Sequence, residues 1–357
     1  MLNYIIRRLL LMFPTLLGIT ALVFFCMALA PGGIGGPALD QSGDMDTERA
    51  TQVRAYYEKR YGIDKPVIVQ YGRWLNQISP IGFTIKEDGS LGRLAIKAPS
   101  LGESMSRHRP VADLIRETLP ITLLLNLITI PIIYSIGIIS GIYAARHRGK
   151  LYDVGTGTAF LALWSIPSMW AGVMLIGLLA NRQYIKIFPT GGLQGIFASE
   201  MPFLPRWTEA GFVHGYLLDV LWHLVLPIVC LSYGGFAFLS KLTRASILEN
   251  LNADYVRTAR AKGVTNNVIL FRHVFRNSLL ALITVVASIL PAMLAGSVVI
   301  ETIFNLPGMG QLAVHAVQYR DREVVLAMTL ISGLLGLTSQ IVRDIWYAVA
   351  DPRVSYE

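Results

Sequence analysis

The chain has 357 residues, of which 53% are hydrophobic and 15% charged, with a formal net charge of +8. Soluble domains carry about 25% charged residues, so an ordinary soluble globule is excluded, and so is disorder, which needs low hydrophobicity with high charge. The two cysteines, Cys26 and Cys230, both lie inside apolar runs, which excludes a disulfide scaffold and predicts free thiols.

A bilayer core is crossed by about 20 apolar residues in a helix. Six stretches of that kind follow one another: Leu9–Ala30, Leu119–Ala145, Val154–Ala180, Leu221–Ser240, Leu279–Phe304 and Val324–Ala350. Pro14, Pro131, Pro167, Pro227 and Pro291 fall within them, as membrane helices tolerate. The sequence therefore predicts an all-α, polytopic membrane protein with six transmembrane helices. The first stretch begins after Arg7 and Arg8 and ends on Ala28-Leu29-Ala30, like a cleaved signal. Its apolar run exceeds the 7–15 residues of such a signal, and Pro31 follows at once, so a retained anchor is expected.

Orientation follows from the basic residues. With both termini in the cytoplasm, fourteen Lys and Arg and six acids fall inside, and seventeen of each outside. The whole formal charge then lies on one face. The basic balance is thus a topology signal, and no contiguous basic stripe with stacking aromatics points to nucleic acid. The chain divides into residues 1–30 (inner start and first span), a long outer segment at 31–118, a five-helix core at 119–350, and an inner tail at 351–357. Inside the core, an outer loop spans 181–220 and an inner loop about 241–278. The Gly-rich run Pro31–Pro37 is expected to be an irregular turn.

The chemistry motifs are notable by absence. No G-x-x-x-x-G-K-[ST] loop occurs, so the chain does not hydrolyse ATP by that device, and no H-E-x-x-H zinc site occurs. The spans lack charges at their centres, where ion-coupled carriers place a relay. Glu301 comes closest and reads as an interfacial carboxylate. Ser140 and Gly141 read as small packing residues, His223 as a headgroup-level anchor beside Trp222, and Tyr319, Arg320 and Asp321 as a solvated outer turn. No catalytic constellation, metal cluster or cofactor site is expected. A membrane path without an engine is left, either a transporter subunit or part of an unrelated channel or complex with no ATPase partner.

The most informative segment is the inner loop, Asp254-Tyr255-Val256-Arg257-Thr258-Ala259-Arg260-Ala261-Lys262-Gly263. Asn252 or Asp254 is suited to cap a helix start, and the alanines and basic residues favour helix. Gly263 fits the left-handed position that ends one, and Thr265 can cap the next helix leading into the membrane. The first helix is too short to stand alone in water. Its residues allow two readings: docking against another protein, or lying on anionic lipid.

Asp254–Gly263 resembles the EAA loop of ATP-binding-cassette importer permeases, in the version of the dipeptide and oligopeptide permease family, and Arg272–Asn277 resembles the motif that follows it. Of the general Glu-Ala-Ala consensus only Ala259 and Gly263 are kept; Arg257 and Thr258 depart from it, as is typical of the peptide branch. Further matches run in order along the chain: Ile6–Leu10, Pro14–Gly18, Tyr61–Pro66, Arg109–Val111, Glu117–Pro120, Ser165–Ser168, His223–Pro227, Leu242–Ser246, Glu301–Phe304, Pro307–Gly310 and Asp351–Arg353. About Ser79–Ser100 looks like an insertion relative to the family.

The resemblance implies a type I importer permease architecture in the inner (cytoplasmic) membrane of a bacterium or archaeon. It implies as partners a second permease subunit, two ATP-binding-cassette ATPases and an extracytoplasmic substrate-binding protein, besides membrane lipid. Asp254, Tyr255, Val256, Arg257, Thr258, Ala259, Arg260, Ala261, Lys262 and Gly263 would form the coupling helix in an ATPase groove. Exposed ion pairs are worth about 0–1 kcal/mol each, so shape (Tyr255, Ala259, Gly263) is expected to matter more than charge. The family carries peptides or similar small solutes, and no substrate-binding residue can be assigned from the sequence.

Overall fold

The structure is a computed structural model that describes residues 2–30, 62, 64–85, 91–208, 211–286 and 298–350. The expected turn at 31–37, the tail at 351–357 with its Asp351–Arg353 motif, part of the 61–66 motif and residues 287–297 of the fifth expected span lie outside the described residues.

Among the described residues, five helices are long and apolar enough to cross a membrane, and a bent pair makes up to six. The helices are α1 (Leu2–Leu29), α2 (Val67–Ile78), α3 (Val111–Arg146), α4 (Leu151–Trp164), α5 (Ser168–Leu175), α6 (Gly215–Leu251), α7 (Asp254–Ala261), α8 (Asn266–Val268), α9 (Arg276–Val286), α10 (Val298–Ile303), α11 (Met309–Gln318) and α12 (Arg322–Ala350). Among the described residues the only sheets are two antiparallel hairpins. One pairs β1 (Ile81–Ile85) with β2 (Leu91–Ile96); the other pairs β3 (Arg206–Thr208) with β4 (Gly211–Val213). The first occupies the expected insertion at about Ser79–Ser100.

The third expected span is not one helix. α4 and α5 meet at 85°, because Pro167 has no N–H to continue the ladder and disfavours helical backbone at Ile166. The freed Ile166 carbonyl accepts a hydrogen bond from Tyr233 Oη at 2.7 Å, the kind of re-satisfaction a break at membrane depth requires. After α5 the chain widens into a π-helical turn, Ile176–Ala180.

The described chain falls into two compact units. One comprises Met1–Leu119 and Gln311–Leu337. Here Phe24 of α1 packs with Tyr71 and Trp74 of α2 and Leu326 of α12. Tyr71 Oη donates to the Leu17 carbonyl at 3.0 Å and lies 2.9 Å from Thr20 Oγ1. Leu9, Leu10, Leu11 and Phe13 point outward from α1, as suits a helix whose solvent is lipid.

The other unit comprises Pro120–Gly310 and Thr338–Glu357. One of its clusters joins Leu125, Val220, Leu224, Leu226, Cys230, Ile300, Phe304 and Leu306. Small residues let the helices approach: a Cβ on Gly137 would lie 2.8 Å from Leu239 Cβ, and one on Gly141 2.7 Å from the Ser240 carbonyl oxygen. Ser140 Oγ donates to Ser240 Oγ at 3.1 Å, so Ser140 and Gly141 do serve packing between α3 and α6.

Candidate functional site

α6 ends at Leu251, Asn252 keeps helical backbone, and Ala253 turns to extended backbone (ψ 151°) as the N-cap of α7. The helix start differs from the expectation. Neither Asn252 nor Asp254 caps the helix with its side chain; Asp254 is the first helical residue. It still places a carboxylate in the positive first turn. Thr265 is the N-cap of α8, also without a side-chain bond.

The C-terminal end follows a Schellman pattern. Gly263 adopts φ +76°. Its N–H donates to the Arg260 carbonyl at 2.9 Å, and the Val264 N–H reaches back to the Ala259 carbonyl at 3.1 Å. These are the 5→2 and 6→1 bonds that satisfy the last carbonyls of a helix. Val264 packs against the cluster that contains Ala259, the apolar contact that accompanies this motif.

α7 is strongly two-faced. Val256 and Ala259, three residues apart and hence on one face, are buried with Ile142, Ala145, Ile247, Ile269, Leu270 and Val274. Asp254, Tyr255, Arg257, Thr258, Arg260, Ala261, Lys262 and Gly263 are exposed. Ala259 therefore belongs to the chain's own core, against the expectation that its shape meets a partner. The surface presented consists of Tyr255, Ala261 and Gly263 ringed by Arg257, Arg260 and Lys262. Arg257 Nη1 lies 3.5 Å from Asp254 Oδ1 with both side chains largely exposed, a pair worth about 0–1 kcal/mol. Nothing on this surface is arranged for bond-making. Among the described residues no group of three or more His, Cys, Asp or Glu could hold a metal ion.

Three ties join residues of α3, α4, α6 and α8 and of the turn between α3 and α4, and the sequence did not reveal them. Arg244 of α6 grips Asp153 of α4 through two nitrogens at 2.6 and 2.7 Å. The Gly149 N–H adds a third bond to that carboxylate at 2.8 Å. Arg146 at the end of α3 donates to Asn267 Oδ1 at 3.2 Å. Asp153 and Arg244 are 91 residues apart. Their only sequence signal is one acid among the basic residues of two helix ends. Between α8 and α9 the helix runs as a π-helical stretch, Ile269–Phe275.

Two further expectations change. Glu301 of α10 is enclosed by the protein, where an interfacial carboxylate would be expected to meet water or headgroups. It is fully buried, accepts from Thr122 Oγ1 at 3.0 Å, and packs so closely on Gly308 that a Cβ there would lie 2.6 Å from its Cδ. In the other unit, Asp321 is not part of a solvated turn: it is fully buried, and its Oδ2 accepts from Ser104 Oγ (2.5 Å) and from Ser106 N (3.0 Å) and Oγ (2.8 Å). His223 is only partly exposed, its Nδ1 lying 2.8 Å from the Asp219 carbonyl oxygen.

Comparison with known proteins identifies the setting of this surface. Residues 137–356 match the family described as "Binding-protein-dependent transport system inner membrane component", and residues 1–126 match its N-terminal companion. The chain is 36% identical over 354 residues to the oligopeptide transport system permease protein AppB of Bacillus subtilis (strain 168), covering 99% of each. It is 32% identical over 387 residues to the inner membrane ABC transporter permease protein YejB of Escherichia coli O157:H7, again covering 99% of each. It is 31% identical over 386 residues to the peptidoglycan transport system permease protein YejB of Agrobacterium fabrum (strain C58 / ATCC 33970), covering 99% of this chain and 98% of that one. The chain belongs to the binding-protein-dependent transport system inner membrane component family.

Proposed function

We propose that this family member is the permease subunit of an ATP-driven importer, forming with a second, similar permease the path for peptides or related small solutes across the cytoplasmic membrane. ATP hydrolysis belongs to two partner ATPases, and a binding protein delivers substrate to the outer face. Both termini lie in the cytoplasm, and residues 31–118 form the long outer segment. The observation that carries this reading is α7: a short helix, seated by Val256 and Ala259 and closed by Gly263, that turns an exposed surface away from its own chain.

In this mechanism α7 (Asp254–Ala261) with Lys262 and Gly263 sits in a groove of an ATPase. ATP draws the ATPase pair together and the two docking helices approach. The spans then swing as rigid bodies from inward-open to outward-open. The braced ends of α3, α4 and α6 let a push on α7 move helices instead of bending a loop.

Co-expression with candidate ATP-binding-cassette ATPases from the same genome tests the proposal. The wild-type chain should hold an ATPase through purification, and Tyr255→Asp/Gly263→Val should insert normally and lose it. A wild-type chain that inserts and binds none of these ATPases overturns the reading in favour of a channel or orphan subunit, with α7 resting on lipid.

A further inference from the structure

Asn250 sits on the last turn of α6, outside the exposed surface of α7, and both its amide donors and its amide oxygen are engaged. Its Nδ2 donates to the Ser246 carbonyl at 2.9 Å and to Ser278 Oγ at 3.3 Å. Its Oδ1 accepts from Tyr255 Oη at 2.8 Å. The Ser246 carbonyl fixes the orientation of the amide, since the flipped form would set oxygen against oxygen. Ser278, 1% exposed, passes its own proton to the Val274 carbonyl at 3.0 Å. Every donor in the series therefore meets an acceptor.

The series joins three helices: Tyr255 on α7, Asn250 on α6 and Ser278 on α9. Without it, a displacement of α7 would reach α9 along the chain only through the turn at Gly263 and the π-helical stretch Ile269–Phe275. Both are places where the backbone departs from a stiff α-helix. The hydrogen bonds bypass both. The bond to Tyr255 is exposed, while Ser278 on the other side of the half-buried amide is 1% exposed, so it is at Ser278 that parting the helices leaves a buried polar group without its donor.

We infer that Asn250 is a positioning residue that transmits movement of the docking helix to the fourth and fifth spans. The inference rests on the reading of α7 as an ATPase-docking helix.

The test uses the whole importer, purified with its ATPases and partner permease and placed in nanodiscs, with the cognate binding protein loaded from a tryptic peptide digest. Three quantities are read: ATPase retained on the chain, basal hydrolysis, and stimulation of hydrolysis by loaded binding protein. Asn250→Ala and Ser278→Ala should each retain the ATPase and basal hydrolysis and lose stimulation by roughly three- to tenfold, the change that one or two such bonds carry. The double variant should lose no more than the worse single one, because one series is broken either way. A variant that was merely destabilised would instead lose the ATPase and basal hydrolysis along with stimulation. Wild-type stimulation in either single variant, or losses that multiply in the double, overturns the inference and leaves the docking reading standing. A wild-type chain that holds no ATPase overturns both.

Discussion

Gly263 allows the docking-helix reasoning to be tested in numbers. Its φ is +76°, and an added Cβ would meet nothing within 4 Å. The cost of a side chain is therefore one of backbone conformation and not of crowding. A left-handed residue costs about 1–2 kcal/mol relative to glycine, least for asparagine and most for β-branched residues. Alanine should thus lose about 1 kcal/mol, valine about 2, and asparagine well under 1. α7 has eight residues, too few to persist alone in water, so its last turn depends on the two bonds that Gly263 and Val264 make and on the seating of Val256 and Ala259. A loss of one or two kcal/mol shifts a local equilibrium by about 5- to 30-fold. Hydrogen exchange at the amides of residues 262–264 should rise by such factors in the order asparagine, alanine, valine. ATPase affinity of the reconstituted chain should fall in the same order. Asparagine as damaging as valine would mean that side-chain volume against the partner decides, and the backbone argument would be wrong. Unchanged exchange in Gly263→Val would sink it altogether.

Other outcomes follow from the same geometry. Val256→Ala should loosen α7 by about 2 kcal/mol, because the side chain is fully buried; exchange across 254–261 measures this, and unaltered protection would contradict the seating. Arg257→Ala should change ATPase binding by less than about 1 kcal/mol, since its ion pair with Asp254 is an exposed contact at 3.5 Å; a larger loss, seen by titration, would show that charge governs docking. Gly308→Ala should destabilise by roughly 1–3 kcal/mol, because the new methyl would lie 2.6 Å from Glu301 Cδ and from Thr122 Oγ1; thermal melting in detergent reads this, and an unshifted transition would refute the close packing. Burial, and then the Arg107 guanidinium, hold the His315 imidazolium below its ordinary range, with Asp321 opposing. The unfolded chain therefore binds that proton more readily, so the contribution to stability is present above the ordinary value of 6.5 and falls as pH drops below it. His315→Gln should flatten the decline in melting temperature from about pH 8 to about pH 5, and an equally steep decline would assign it to other groups.

Much of the fold is legible in the chain because lipid imposes a one-dimensional rule: about 20 apolar residues must run together wherever a helix crosses. Leu9–Ala30 and Val324–Ala350 need no knowledge of their neighbours to be read as spans. The end of α7 is legible for a similar reason, since few residues besides Gly263 adopt the left-handed backbone at a helix terminus. The bend at Pro167 was visible as a proline and not as an 85° turn, because a kinked helix and a broken one differ in where the next helix packs. The ordered motifs from Ile6 to Arg353 carried the family, while the side of α7 that meets the chain itself was not written in them.

The sequence by itself determined that the chain is a helical membrane protein without an ATPase loop, and that the loop at about 241–278 is two helices around a glycine turn. Those properties depend on hydrophobicity, backbone freedom and residue type along a local stretch. Only the tertiary structure decided that Ala259 faces inward, that Glu301 and Asp321 are buried with serine and threonine donors, that Arg244 holds Asp153, and that Asn250 joins Tyr255 to Ser278. Each of these is a pairing of groups that are distant in the chain or on different helices. A polar side chain is stable in a dry interior only when its partner is brought to it, and helix packing supplies that partner.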